Sequence, residues 1–349
     1  MMFLKRWCLL PLSGLLILAI VPTVPEVMDS MSMCPNFFLE GTPPEVPGIL
    51  ESGTILNQNR YKTICQTYNN TRRFVTLYDT VNRIPVFSAY KYRGTGKGKR
   101  PNPPWKIEPQ VYFHSLLEGK NNINMVNSRS VRYEHQASDI DYKSDSKVYN
   151  RGHLFPSSHA FDESDKVSTF TLTNIVPQAI SFNNGSWGKM ENCVQCVMKK
   201  YCTDNNEVIE GFVVTGAKPS NNNILNERIN IPEILWTAFC CYSSKVNKWL
   251  ASAHWGDNIA EESKSKYLQT KTLQQLNQRL RSGEPRFEVF PRKECPKYET
   301  VTEYYPEINA KDKDCHCPNP PTTTTTAVPS TTAVPSTTAI TERRKVSPS

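Results

Sequence analysis

Asn150-Arg151-Gly152-His153-Leu154-Phe155-Pro156, then Thr173-Asn174-Ile175-Val176-Pro177-Gln178, and then Phe182-Asn183-Asn184-Gly185-Ser186-Trp187 running on to Glu191, are the stretches on which the reading of this chain turns. A lone Arg-Gly-His arises easily by chance, and a single histidine is usually a surface or packing residue. Taken together, the stretches supply the residue types that phosphodiester hydrolysis uses. That reaction needs a base for water, a cation for the charge developing on the phosphoryl oxygens, and a proton or metal for the leaving oxygen. His153 suits the base because its ordinary pKa lies near neutrality. Arg151 offers a planar fork for phosphate oxygens, and Gly152 leaves room for a substrate backbone to approach. Asn183 offers a neutral carbonyl oxygen to a hard cation such as Mg²⁺, which keeps most of its waters and meets substrate phosphate directly. Glu191 lies eight residues further on. On a continuous helix it points roughly 80° away from Asn183, where it can orient a metal-bound water.

The surrounding text predicts strands bracketing a few helices, hence an α+β fold. Residues 74–78 and 84–90 are rich in β-branched and aromatic side chains and flank an Asp79-Thr80-Val81-Asn82 turn, with Pro85 near a strand start. Further strands are expected at Thr169 to Leu172, Gly211 to Thr215 and Trp236 to Tyr242. Helices are expected at Ser186 to Lys200 and at Glu261 to Arg281, where Leu268, Leu273 and Leu276 recur at helical spacing.

The chain opens with Lys5-Arg6 and an apolar run from Trp7 to Val21, too short for the roughly 20 residues of a membrane helix. Residues 1–24 therefore read as a secretory signal peptide, and the protein as secreted into the extracellular space or delivered to lysosomes, with no membrane span. Of eleven cysteines, ten remain after Cys8 leaves with the leader, an even set that in an exported chain means disulfides. A zinc site at Cys193-Val194-Gln195-Cys196 or Cys315-His316-Cys317 would need a reducing compartment. Adjacent Cys240 and Cys241 are expected to bond to different partners. Residues 34–295 have the composition of one globular domain. Residues 296–349 lose apolar content and end in a Thr/Pro/Ser-rich tail with the repeat Thr-Thr-Ala-Val-Pro-Ser, which cannot pack a core and reads as disordered and O-glycosylated. The net charge of +8 suits a polyanion but decides nothing alone.

Arg151-Gly152-His153, Asn174-Ile175-Val176-Pro177-Gln178 and Asn183-x-Gly185-x-Trp187-x-x-x-Glu191 together resemble the ββα-metal (His-Me finger) DNA/RNA non-specific endonucleases. The flanking segments Ile84 to Tyr90, Trp105 to Gln110 and Ile231 to Trp236 are similar to a vertebrate branch of that family. The resemblance implies a mixed six-stranded central sheet flanked by helices, with a finger made of a β-hairpin carrying the histidine and a helix carrying the asparagine. It implies His153 as general base, Asn183 as the Mg²⁺ (or Mn²⁺) ligand, and supporting roles for Arg151, Asn174, Gln178 and Glu191. The implied reaction is endonucleolytic cleavage of DNA and RNA leaving 5′-phosphates, with nucleic acid as substrate. Two departures stand out. Asn150 occupies a position where the family usually has Asp, which favours a second reading, a nucleic-acid or cell-surface binder that keeps the fold with weakened turnover. Asn184-Gly185-Ser186 is a glycosylation sequon beside the expected metal ligand, although Asn69-Asn70-Thr71 is the better placed acceptor. His135 and His159 are expected to be ordinary surface histidines.

Overall fold

The computed structural model describes residues 27–96, 98–112, 125–143, 147–281, 286–310 and 315–319. The expected leader and the Thr/Pro/Ser-rich tail lie outside the described residues. The elements that position the site are strands Val27–Met28 (β1), Tyr61–Tyr68 (β2), Thr71–Asp79 (β3), Ile84–Tyr92 (β4), Tyr149–His153 (β5), helix Glu163–Ser168 (α1), strand Ile175–Ala179 (β6), helix Gly188–Tyr201 (α2), strands Gly211–Lys218 (β7), Ile234–Ser243 (β8) and Lys248–Asp257 (β9), and helix Leu273–Leu280 (α3).

Seven strands form one sheet in the order β1-β2-β3-β4-β7-β8-β9, and every neighbouring pair is antiparallel. The fold is α+β as expected, but the sheet is not the mixed six-stranded one that the resemblance implied. Short turns explain much of this, because only antiparallel neighbours can be joined by a tight hairpin. Asn69 and Asn70 both take positive φ (53° and 57°) between β2 and β3, the conformation a two-residue hairpin turn requires. After β3, Asp79 accepts the Val81 and Asn82 N–H groups at 2.9 and 3.1 Å and receives Arg60 at 3.0 and 2.7 Å.

Side chains alternate across this sheet, as the pleat demands, and build two cores. One face presents Val75, Leu77, Phe87, Val214, Trp236 and Ala251 to an apolar cluster closed by α3 and the 34–39 segment. The other presents Phe74, Tyr90, Tyr92, Val213 and Leu250 to a cluster that includes α2 and the finger. Alternation also separates Cys240 from Cys241. Cys240 bonds to Cys295 on the first face and Cys241 to Cys202 on the second, so the expectation of different partners is met. Cys34–Cys65, Cys193–Cys317 and Cys196–Cys315 complete five disulfides.

Three local expectations change. Thr169 to Leu172 is not a strand. It enters a 3₁₀ turn at Leu172–Asn174, and its threonines bond instead to the sheet and to neighbouring carbonyls. Residues 261–271 are not helical, because Lys271 pairs with Ala253 and Thr270 N–H reaches Pro318. The helix begins only where Thr272 and Gln275 cap each other. The packed unit extends past Cys295 to Asn319. Val301, Ile308, Cys315 and Cys317 are buried there, and the last two are clipped to α2.

Candidate active site

β5 and β6 form a two-stranded hairpin in which His153 faces Ile175, Gly152 faces Val176, Arg151 faces Pro177 and Asn150 faces Gln178. Asn174 locks the long connection between them. Its Oδ1 accepts from the Ser88 hydroxyl at 2.9 Å and the Phe155 N–H at 3.0 Å, and its amide donates to the Phe155 and Thr169 carbonyls. After β6 the chain enters a wide turn at Asn183–Trp187, broken by Gly185 (φ −100°, ψ −115°), before α2 begins. Glu261 holds this turn by accepting both the Ser186 N–H, at 3.0 Å, and the Ser186 hydroxyl. Asn183 and Glu191 therefore do not share a continuous helix, and the 80° relation expected from helical phase does not hold.

The hairpin, the wide turn and the start of α2 wall a cleft of about 590 Å³ with Arg100, Arg151, His153, Lys166, Asn183 and Glu191 on its lining. The structure thus gathers His153, Arg151, Asn183 and Glu191, residues separated by up to 40 positions, in one concavity. Asn150, Asn174 and Gln178 are not on its lining; they sit in the hairpin behind it.

His153 is 8% exposed, packed edge-on against Phe170 at 5.0 Å and tilted against Trp105 at 5.4 Å, and its Nε2 meets no hydrogen-bond partner among the described residues. Burial, with a smaller push from Arg100, lowers its pKa to about 3, so the ring is neutral at pH 7. Glu191 receives the Trp187 indole N–H at 3.1 Å. Burial raises its carboxyl to about 8, with Trp187 and Arg100 acting in the opposite sense.

Arg151 does not present a free fork. Its Nη2 donates to the Asp139 carboxylate at 2.7 Å and carbonyl at 3.0 Å, and the guanidinium lies between the Trp105 and Tyr142 rings at 5.5 and 5.4 Å. Gly152 serves hairpin packing rather than substrate approach, since a Cβ there would stand 2.1 Å from Gln178 Oε1. Lys166 donates to the Gly96 and Gly98 carbonyls at 3.4 and 3.3 Å, and Lys189 to the Lys264 and Lys266 carbonyls. Arg100 is exposed over the Phe170 ring at 5.3 Å and has no ion-pair partner among the described residues. Arg100 closes the basic stretch Lys91 to Arg100, and nothing local to that stretch marks it. The nearby Trp105 and Gly94-x-Gly96-x-Gly98 loop carried no spacing signal that would have singled it out. His159 is not a surface histidine: it is 4% exposed and bonded through both ring nitrogens.

Among the described residues no group of three or more His, Cys, Asp and Glu side chains is placed to hold a metal ion. The donors the cleft does offer, the Asn183 amide carbonyl and the Glu191 carboxyl, are hard oxygens. They fit a small divalent cation that retains its waters, and they do not fit a zinc-type cage.

The sequence profile of the DNA/RNA non-specific endonucleases matches residues 52–278, and the chain belongs to that family. It is therefore a nuclease-family protein of the ββα-metal class, built on the finger described above. The human endonuclease domain-containing 1 protein is 31% identical over 215 residues, covering 60% of this chain and 38% of that protein. The mouse protein of the same name is 28% identical over 244 residues, covering 68% and 44%. A nuclease of Nostoc sp. is 29% identical over 90 residues, covering 25% and 30%. The chain spans less than half the length of each of these relatives. No helix among the described residues is long and apolar enough to cross a membrane.

Proposed function

We propose that this protein is a secreted, divalent-metal-dependent endonuclease that hydrolyses phosphodiester bonds of DNA and RNA. The observation that carries the reading is the neutral, partly cleft-facing His153 in one concavity with Arg100, Asn183 and Glu191. His153 accepts the proton of the attacking water. A pKa near 3 makes a weak base in the empty cleft. A phosphate drawn towards Arg100 offsets the positive charge acting on the ring and so raises its basicity. Arg100, exposed and unpaired among the described residues, binds the scissile phosphate in the role that sequence analysis gave to Arg151. Arg151, held by Asp139 and stacked between two rings, keeps the His153 strand in place.

Asn183 would hold Mg²⁺ or Mn²⁺ through its amide oxygen, with Glu191 orienting a coordinated water. Such an ion, when bound, supplies neutralising charge to the phosphoryl and leaving oxygens. Asn174 and Gln178 support the hairpin. Contacts confined to phosphate carry no base identity, which accounts for a substrate range spanning DNA and RNA. Five disulfides suit an oxidising compartment. Asn69, at an exposed hairpin tip, is the glycan acceptor rather than Asn184, whose sequon hydroxyl on Ser186 is buried against Glu261.

Asn150 favours a second reading, a nucleic-acid binder with weakened turnover, because a half-buried amide stands where the family usually has a carboxylate. Digestion of plasmid and RNA by the purified secreted protein with Mg²⁺ or Mn²⁺ separates the two. The nuclease reading expects metal-dependent cleavage that His153→Ala lowers by about 10³-fold. An inert wild type that becomes active as Asn150→Asp would establish the binder.

A further inference from the structure

The cleft accounts for His153 but leaves another buried histidine of the same face without a task. His159 has both ring nitrogens engaged. Nε2 lies 2.9 Å from the Glu191 carbonyl and Nδ1 lies 2.7 Å from the Tyr90 hydroxyl. A carbonyl oxygen only accepts, so Nε2 carries the hydrogen and Nδ1 accepts from Tyr90. Tyr90 in turn receives the Thr215 hydroxyl, and Thr215 and Thr237 are bonded to each other at 2.8 Å. A single line of polar groups thus runs from strands β8, β7 and β4 through His159 to the first turn of α2, with Thr237, Thr215, Tyr90 and His159 all buried. Burial holds the ring neutral, with its pKa near 4, so the donor arrangement does not change across the physiological range.

We infer that His159 is a positioning residue for the nuclease reaction: through its Nε2–H it fixes the main chain of Glu191 relative to the sheet, so that the Glu191 carboxyl meets the cleft at one place. The inference rests on the proposed nuclease function. Three observations bear on it. Glu191 is gripped at two points, its carbonyl by His159 and its carboxyl by the Trp187 indole. The His159 ring is wedged edge-on against Tyr90 and Tyr92, each at 6.0 Å, so it has little freedom to tilt. The connection is also long-range, since His159 sits on the finger connection and Glu191 on the helix, and it couples the strand that carries His153 to the helix that carries Glu191. A phenylalanine would fill the same space with no donor. A glutamine can place an amide N–H where Nε2 stands and so restore the bond.

The test compares wild type, His159→Phe, His159→Gln and Tyr90→Phe, using kcat and KM on a defined oligonucleotide with Mg²⁺, thermal unfolding, and the imidazole ¹⁵N spectrum. The expected result is a fall in kcat of about 10- to 100-fold for His159→Phe with KM within about two-fold, as follows when an aligned group is displaced without loss of substrate binding. His159→Gln is expected to recover to within a few-fold of wild type, although both variants unfold at similar temperatures. Equal kcat in wild type and His159→Phe, or Phe and Gln variants that lose kcat in proportion to their stability, would overturn the inference. An inert wild type removes the nuclease reading, and the spectrum then judges His159 on its own. A single Nε2–H tautomer that persists below pH 5 and is retained in Tyr90→Phe supports the placement, and a mixed tautomer in wild type overturns it.

Discussion

The two faces of the central sheet are built from the same strands and obey opposite rules. Behind the sheet, Val75, Leu77, Phe87, Phe212, Val214 and Ala238 make a dry interior. On the site face the same strands contribute Thr76, Ser88, Tyr90, Thr215, Thr237, Ser252 and His254, all buried. The finger is docked onto these groups by hydrogen bonds such as Ser88 to Asn174 at 2.9 Å and Gln66 to Thr173 at 2.7 Å. A buried polar group is costly unless it is paired, so these bonds specify where the finger residues lie. The apolar face constrains volume alone.

The largest consequence is that the site face should dominate the dependence of stability on pH. Burial lowers His153 to about 3, His159 to about 4 and His254 to about 3, all from 6.5. Each of these groups contributes stability that is complete above pH 6.5 and lost as pH falls towards the folded value. Glu191, raised from 4.5 to about 8, has the reverse sign, its contribution being complete below pH 4.5 and lost as pH rises through 8. Between pH 4.5 and 6.5 three protons oppose one, so stability should rise with pH by about 3 kcal/mol per unit. Above 6.5 Glu191 acts alone and stability should decline, placing the maximum near pH 6.5. Urea unfolding with disulfides intact, repeated from pH 4.5 to 8.5, checks this. A curve that keeps rising to pH 8.5 would show that Glu191 is not held neutral, and Glu191→Gln should flatten the alkaline limb.

A cavity on the other face should behave differently. Phe87 is fully buried and meets Phe38 edge-on at 6.5 Å. Phe87→Ala should cost about 3–5 kcal/mol and lower the whole pH curve without altering its shape. Cleavage per folded molecule should be unchanged. A change in the position of the maximum would mean that the two faces are not independent.

What was legible in the sequence divides along the same line. Strands β3, β4, β7 and β8 could be read because they are rich in β-branched and aromatic residues, and the meeting of His153, Asn183 and Glu191 in one cleft because local motifs carried them. Thr169 to Leu172, in the polar connection, was misread as a strand, since β-branched residues favour extended backbone wherever they occur. Only the tertiary partners Gln66 and Lys106 show that the hydroxyls of Thr173 and Thr171 are used for docking. Arg151 was read as a phosphate fork because nothing local announces Asp139 and Tyr142 beside it. Arg100 and His159 were missed for the same reason, as each takes its place from elements far along the chain. The 296–319 segment was set outside the domain on composition, although its attachment rests on two disulfides and a few buried side chains rather than on apolar content.

A matched pair of glycine substitutions sharpens the comparison at the smallest scale. On the site face a Cβ at Gly152 would stand 2.1 Å from Gln178 Oε1 and 2.6 Å from its Cβ. On the apolar face a Cβ at Gly216 would stand 2.3 Å from Trp236 Cζ2 and 2.6 Å from the Val86 carbonyl oxygen. Neither clash is relieved by rotating a flexible tip, so Gly152→Ala and Gly216→Ala should each cost about 1–3 kcal/mol by overpacking. Their effects on cleavage should diverge. Gly152 precedes His153 and pairs with Val176 across the hairpin, so moving β5 away from Gln178 displaces the imidazole. A displacement on the order of 1 Å near the reacting groups costs about 10²-fold in rate. Gly216→Ala, measured well below its unfolding temperature, should retain nearly full kcat. Equal losses of kcat in the two variants would mean that position within the cleft does not depend on the polar docking of the finger, and that the sheet transmits strain from either face alike.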